Sequence, residues 1–142
     1  MSEAATKYLP IDHTADAGLK VFGCDLADLF CNAALGMFAM ISNLETVHST
    51  CEMRLRVEAT DLAALLLNWL SELNYRFLTE RMVFKNFQID EIGPTALLAR
   101  VQGEELDLDR HELYTEIKAV TYHKLYVRET VQGWEAQVIF DL

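Results

Sequence analysis

Cys51-Glu52-Met53-Arg54-Leu55-Arg56-Val57-Glu58-Ala59, running on into Thr60-Asp61-Leu62, is the stretch that decides the fold. Met53, Leu55, Val57 and Ala59 fall on one side, and Glu52, Arg54, Arg56 and Glu58 on the other. A period of two with one apolar and one charged side is a strand with one wet face. The period then changes. Thr60 reads as the cap of a helix, with Asp61 in its first turn. Leu62, Leu65, Leu66, Trp69, Leu70, Leu73 and Phe77 recur at three- and four-residue steps through residues 61–79. The dry face of the strand needs cover, and this helix carries the widest apolar face in the chain. Strand and helix therefore form two layers around one core.

Upstream, Asp25 is a good N-cap, with Asp28 in the first turn. Leu26, Leu29, Phe30, Ala33, Met37 and Ile41 make residues 25–42 a second amphipathic helix, in which Met37 and Met40 fill gaps in the core. Lys7 to Ile11 and Gly18 to Gly23 are strand-like, and residues 43–50 form a polar loop. Downstream, Met82 to Glu91 and Thr95 to Gln102 are strands joined by the turn Ile92-Gly93-Pro94. Residues 103–116 are acidic and irregular. Lys118 to Glu129 and Trp134 to Leu142 are the last two strands, with Trp134, Ala136, Val138 and Phe140 on one face. This order predicts an α+β, two-layer single domain over residues 1–142, with the two main helices on one face of a largely antiparallel mixed sheet.

The 142 residues carry 12 Lys and Arg against 22 Asp and Glu, a formal net charge of −10. That argues against strong direct nucleic-acid binding, which needs clustered cations. It suits a partner with a basic surface or a bound cation. Cys24, Cys31 and Cys51 are odd in number and lack metal-site spacing, so reduced, mostly buried thiols and a cytoplasmic location are expected. No apolar run reaches the roughly 20 residues of a membrane span. The start, Met1-Ser2-Glu3-Ala4-Ala5, has no signal-peptide pattern.

The chemistry concentrates in Ile11-Asp12-His13-Thr14-Ala15-Asp16-Ala17-Gly18. Its acceptors are solvated, cap turns, or hold a cation, because an unpaired buried carboxylate is very costly. The chain ends Ile139-Phe140-Asp141-Leu142. If the two ends meet, Asp16, Asp141 and the Leu142 carboxylate could surround one hard ion, Ca²⁺, Mg²⁺ or Mn²⁺ rather than zinc. Asp107, Asp109, His111 and Glu112 form a second acidic cluster, expected on a solvated face. In Glu116-Ile117-Lys118-Ala119-Val120-Thr121-Tyr122-His123, Lys118 could neutralise carboxylates or reach a phosphate, and His123 lies in or beside a strand. The sequence has no GxSxG, phosphate-cradling GxxxxGK[ST], HExxH or GxGxxG pattern.

At these residues the chain resembles the archease family. Asp12-His13-Thr14-Ala15-Asp16 with Gly18, the stretch Glu116 to His123, and the ending Ile139-Phe140-Asp141-Leu142 look like its three signatures, and the likeness spans essentially the whole chain. The resemblance implies a protein cofactor rather than an enzyme. Archeases activate the tRNA-splicing RNA ligase, which joins 2′,3′-cyclic-phosphate or 3′-phosphate ends to 5′-hydroxyl ends. That ligase uses GTP and Mn²⁺ and passes through a guanylate on its own histidine. The archease promotes guanylylation and multiple turnover. The implied metal ligands are Asp16, Asp141 and Leu142, and Asp12, His13, Lys118 and His123 are the implied contacts for partner and activation. Two other readings stand beside this one. One is a metal-dependent phosphoesterase built on Asp12, His13, Asp16 and Asp141. The other is a metal-free, chaperone-like adaptor.

Overall fold

In the computed structural model, residues 6–12 and 16–142 are described. The elements run β1 (Tyr8–Asp12), β2 (Asp16–Gly23), α1 (Leu26–Ile41), β3 (Cys51–Glu58), α2 (Leu62–Glu80), β4 (Met82–Ile92), β5 (Ala96–Glu105), β6 (Ala119–Thr130) and β7 (Gly133–Asp141). A short 3-10 turn, Leu44–Thr46, interrupts the loop after α1. The α+β class and the antiparallel pairing match the expectation. The single sheet does not. There are two sheets, ordered β1-β2-β7-β6 and β3-β5-β4, and every strand pairing within them is antiparallel. The reason lies in residues 106–118, which cross from one sheet to the other instead of folding β6 back onto β5.

The two helices join the sheets. α1 packs against β2 and β4, and α2 against β6 and β3, so each helix touches both. The result is one hydrophobic cluster in which Trp69, Phe30, Phe38, Phe77, Phe84 and Phe140 are fully buried. Trp69 also donates its indole N–H to the Phe30 carbonyl at 2.9 Å. A buried indole needs such a partner, and this one ties the two helices together.

Local sequence sets the helix ends. The Asp25 carboxylate accepts the Asp28 N–H at 2.8 Å, and Asp28 returns the favour by accepting the Cys24 N–H at 2.9 Å. α2 is capped by Asp61 rather than Thr60. The Asp61 side chain accepts the Ala64 N–H at 2.8 Å, placing the cap three residues before its donor. The thiols also differ from expectation: Cys24 and Cys51 are exposed and only Cys31 is partly buried. Cys24 precedes the α1 cap, and Cys51, although in phase with Met53, Leu55 and Val57, opens an edge strand at its exposed end. Among the described residues no helix is long and apolar enough to cross a membrane.

Candidate functional site

The two acidic ends of the sequence meet. β2 runs antiparallel to β7 in a register that sets Asp16 opposite Asp141, Gly18 opposite Ile139 and Gly23 opposite Trp134. Gly18 makes this close ladder feasible. A Cβ there would lie 2.7 Å from the Ile139 Cδ1, so the missing side chain lets Ile139 pack to 1% exposure. Directly opposed residues in an antiparallel pair carry their side chains on one face, with Cβ atoms about 4.5–5.5 Å apart. Asp16 and Asp141 thus put two like charges side by side at the end of the sheet. Asp16 is half-buried and Asp141 is exposed. Leu142, 36% exposed, follows immediately.

β6 flanks the same point from the other side. Ala119 pairs with Asp141, and the Lys118 N–H donates to the Asp141 carbonyl at 2.8 Å. Lys118 is exposed, so the structure brings this cation's backbone directly beside the carboxylate pair. Asp12 pairs with Ala17, one register step from the Asp16 rung. Its side chain and the whole of His13 lie outside the described residues. His123 is exposed and sits in a wide irregularity of β6, where the register jumps from Thr121 opposite Ile139 to Tyr126 opposite Gln137. Thr121 holds that irregularity: its hydroxyl donates to the Ile139 carbonyl at 2.9 Å and accepts the His123 N–H at 3.3 Å. Lys124, at φ 52°, takes the left-handed conformation that such a bulge demands.

In the second acidic cluster Asp107, Asp109 and Glu112 are exposed, as expected of a solvated face, but the histidine among them is not. His111 is 3% exposed and Glu104 8%. Glu104 accepts from the two terminal guanidinium nitrogens of Arg110 at 2.7 Å, from the His48 N–H at 2.6 Å, and from His111 Nε2 at 2.9 Å. His111 Nδ1 accepts the Asp107 N–H at 2.9 Å, which places the ring proton on Nε2, facing Glu104. The Arg110 hydrogen bonds, with help from His48 and His111, hold the Glu104 carboxyl well below the usual carboxylate range despite its burial. Alternation alone could not show this, because the burial comes from a loop folding over the β5 end. A single histidine within a charged run was the only signal in the sequence. The cluster is a clasp: it fastens residues 106–111 to β5 and to the loop containing His48.

The clasped loop then runs to the site. The Ser42 hydroxyl donates to the Glu112 carbonyl at 2.6 Å, and the Tyr114 N–H donates to the Ile41 carbonyl at 2.8 Å. Asn74, within the apolar face of α2, donates to the Ile117 carbonyl at 2.8 Å. Lys118 is the next residue. Asn74 escaped the sequence reading; its signal was one amide among Leu70, Leu73 and Phe77.

Among the described residues, the acidic side chains at the sheet end, Asp16 and Asp141, offer only oxygen. Two adjacent carboxylates that repel each other suit a hard divalent cation, which turns repulsion into attraction. Among the described residues, no three His, Cys, Asp or Glu side chains gather as one metal-ligating group. An ion at Asp16 and Asp141 therefore needs a further oxygen donor from outside that set.

The model of the Archease protein family matches residues 8–142. A protein named archease from Methanosarcina barkeri is 38% identical over 146 aligned positions, covering 100% of both chains. One from Methanopyrus kandleri is 36% identical, covering 93% of this chain and 96% of the other. The solution structure of Methanobacterium thermoautotrophicum protein 1598 superposes with a TM-score of 0.80 at 35% identity, covering 95% of this chain and 98% of that one. The crystal structure of a Thermotoga maritima protein, described as an archease and possible chaperone, shares the fold with a TM-score of 0.66 at 19% identity, over 99% of this chain and 100% of that one.

Proposed function

The chain belongs to the archease family, and from that premise we propose that it is a non-catalytic, metal-binding activator of a GTP-dependent tRNA-splicing RNA ligase in the cytoplasm. The observation that carries this reading is the Asp16–Asp141 rung with Lys118 hydrogen-bonded beside it. Asp16, Asp141 and the Leu142 carboxylate hold one divalent ion, Ca²⁺, Mg²⁺ or Mn²⁺, since these hard cations take oxygen ligands. When bound, the ion supplies a positive centre to which phosphate oxygens can be oriented. Asp12, His13, Lys118 and His123 contact the partner. GTP belongs to the ligase.

Charge supports a protein partner over RNA. A chain of net charge −10 is repelled by a phosphate backbone, whereas a ligase has basic grooves for its RNA and nucleotide. An acidic sheet end bearing one lysine can enter such a groove and order groups around the nucleotide. The test is multiple-turnover ligation of a 2′,3′-cyclic-phosphate end to a 5′-hydroxyl end by the ligase, with and without this protein. Activation that disappears in Asp141→Asn supports the proposal, and equal turnover in all three conditions refutes it.

A further inference from the structure

We propose that Asn74, a buried amide in the middle of α2, is a positioning residue for Lys118. The inference rests on the reading of Lys118 as an activating contact and adds the part of the molecule that aims it.

Asn74 is 4% exposed and lies among residues whose only task is packing. Its Nδ2 donates to the Ile117 carbonyl at 2.8 Å, while its Oδ1 is buried with no hydrogen-bond partner among the described residues. A buried acceptor left unsatisfied is a cost that a leucine of similar size would avoid. Packing alone therefore does not account for an amide here. What it achieves is local. The Ile117 carbonyl and the Lys118 N–H belong to one planar peptide unit. Asn74 holds the carbonyl end, and the Asp141 carbonyl holds the N–H end at 2.8 Å. With both ends of a rigid plane fixed, the Cα of Lys118 has a set place and direction beside Asp141. Ile117 itself is 0% exposed, so the side chain before Lys118 is anchored as well. Lys118 is exposed, yet its backbone is clamped between the second helix and the last strand.

The experiment compares the full chain with Asn74→Leu in three measurements. The melting temperature of Asn74→Leu is expected to stay near that of the wild type, because relief of the unsatisfied Oδ1 offsets the Ile117 carbonyl left without its donor. Exchange of the Lys118 amide hydrogen is expected to be about tenfold faster, while amides of the β2–β7 ladder keep their protection. Ligase activation is expected to fall about tenfold, as when a supporting residue behind a contacting group is lost. In a Lys118→Ala background the same substitution should cause no further loss. Unchanged Lys118 exchange overturns the proposal. So does an equal activation loss with and without Lys118, which would mean that Asn74 acts elsewhere. If Asn74→Leu does not fold, Asn74→Ala removes the same donor and is read by the exchange and activation measurements alone, since its cavity lowers the melting temperature in any case. A wild-type chain that fails to activate the ligase removes the functional reading, and the exchange measurement still decides whether Asn74 positions Lys118.

Discussion

Asp16 and Asp141, 125 positions apart in a chain of 142, stand directly opposite each other on the terminal rung of the β2–β7 ladder. Like charges in that position destabilise a sheet by a few tenths of a kcal/mol to about 1 kcal/mol. Relieving the repulsion should then stabilise the metal-free protein. Asp141→Asn is expected to melt at or slightly above the wild-type temperature in chelator, and to lose at least about tenfold in Mn²⁺ affinity. Melting curves and calorimetric titration check both. Lower stability in chelator with unchanged Mn²⁺ affinity would show that Asp141 serves the fold and not an ion.

In the proposed ion site, the Leu142 carboxylate is the third ligand, with two oxygens and a charge. Appending residues after Leu142 converts it to a neutral amide carbonyl and removes one negative charge from the ion's surroundings. Extended protein should stay folded, since the core cluster does not include Leu142, and should bind Mn²⁺ more weakly. An extended chain that matches the native one in both ion affinity and ligase activation would falsify the terminal-carboxylate ligand.

Lys118→Ala should separate function from folding. Its backbone N–H, which bonds the Asp141 carbonyl, survives the substitution. Loss of an exposed side chain changes stability by no more than about 0.5 kcal/mol. The expected outcome is an unaltered melt with strongly reduced ligase activation. A large drop in melting temperature would give Lys118 a structural role.

The Glu104 clasp predicts an acid limit. The Arg110 hydrogen bonds hold its carboxyl below the ordinary glutamate value of 4.5 in the folded state. A depressed carboxylate stabilises the fold above its unfolded value, and that contribution fades as pH falls below about 4.5. Wild-type melting temperature should drop through that window. Glu104→Gln should be less stable at pH 7 by about 1–3 kcal/mol, because His48, Arg110 and His111 lose an ionised acceptor, and its melting temperature should vary less below pH 4.5. Parallel pH dependences would remove Glu104 from the acid response.

Much of this was legible in the residues. The alternation of Met53 to Ala59 and the apolar steps from Leu62 to Phe77 gave β3 and α2 nearly to their ends, because periodicity reports directly which side faces a core. The ending Ile139 to Leu142 and the Asp12–Asp16 motif pointed to one another, and the register brings Asp16 to Asp141. What the sequence hid is non-local. Residues 106–118 separate two sheets, a choice made by the long path of the loop and not by any local propensity. Glu104, Arg110 and His111 look like a solvated run until the loop folds over β5 and buries two of them. The exposed thiols of Cys24 and Cys51 follow from chain position at a cap and an edge, against the usual tendency of cysteine to be buried.

The most direct test is multiple-turnover ligation by the tRNA-splicing RNA ligase with limiting GTP and Mn²⁺, comparing no addition, the wild-type chain and Asp141→Asn. The expected result is many turnovers with the wild-type chain, and about single-turnover product both without it and with the variant. Equal product from the wild type and Asp141→Asn would contradict a metal-bearing rung at Asp16 and Asp141 as the source of activation.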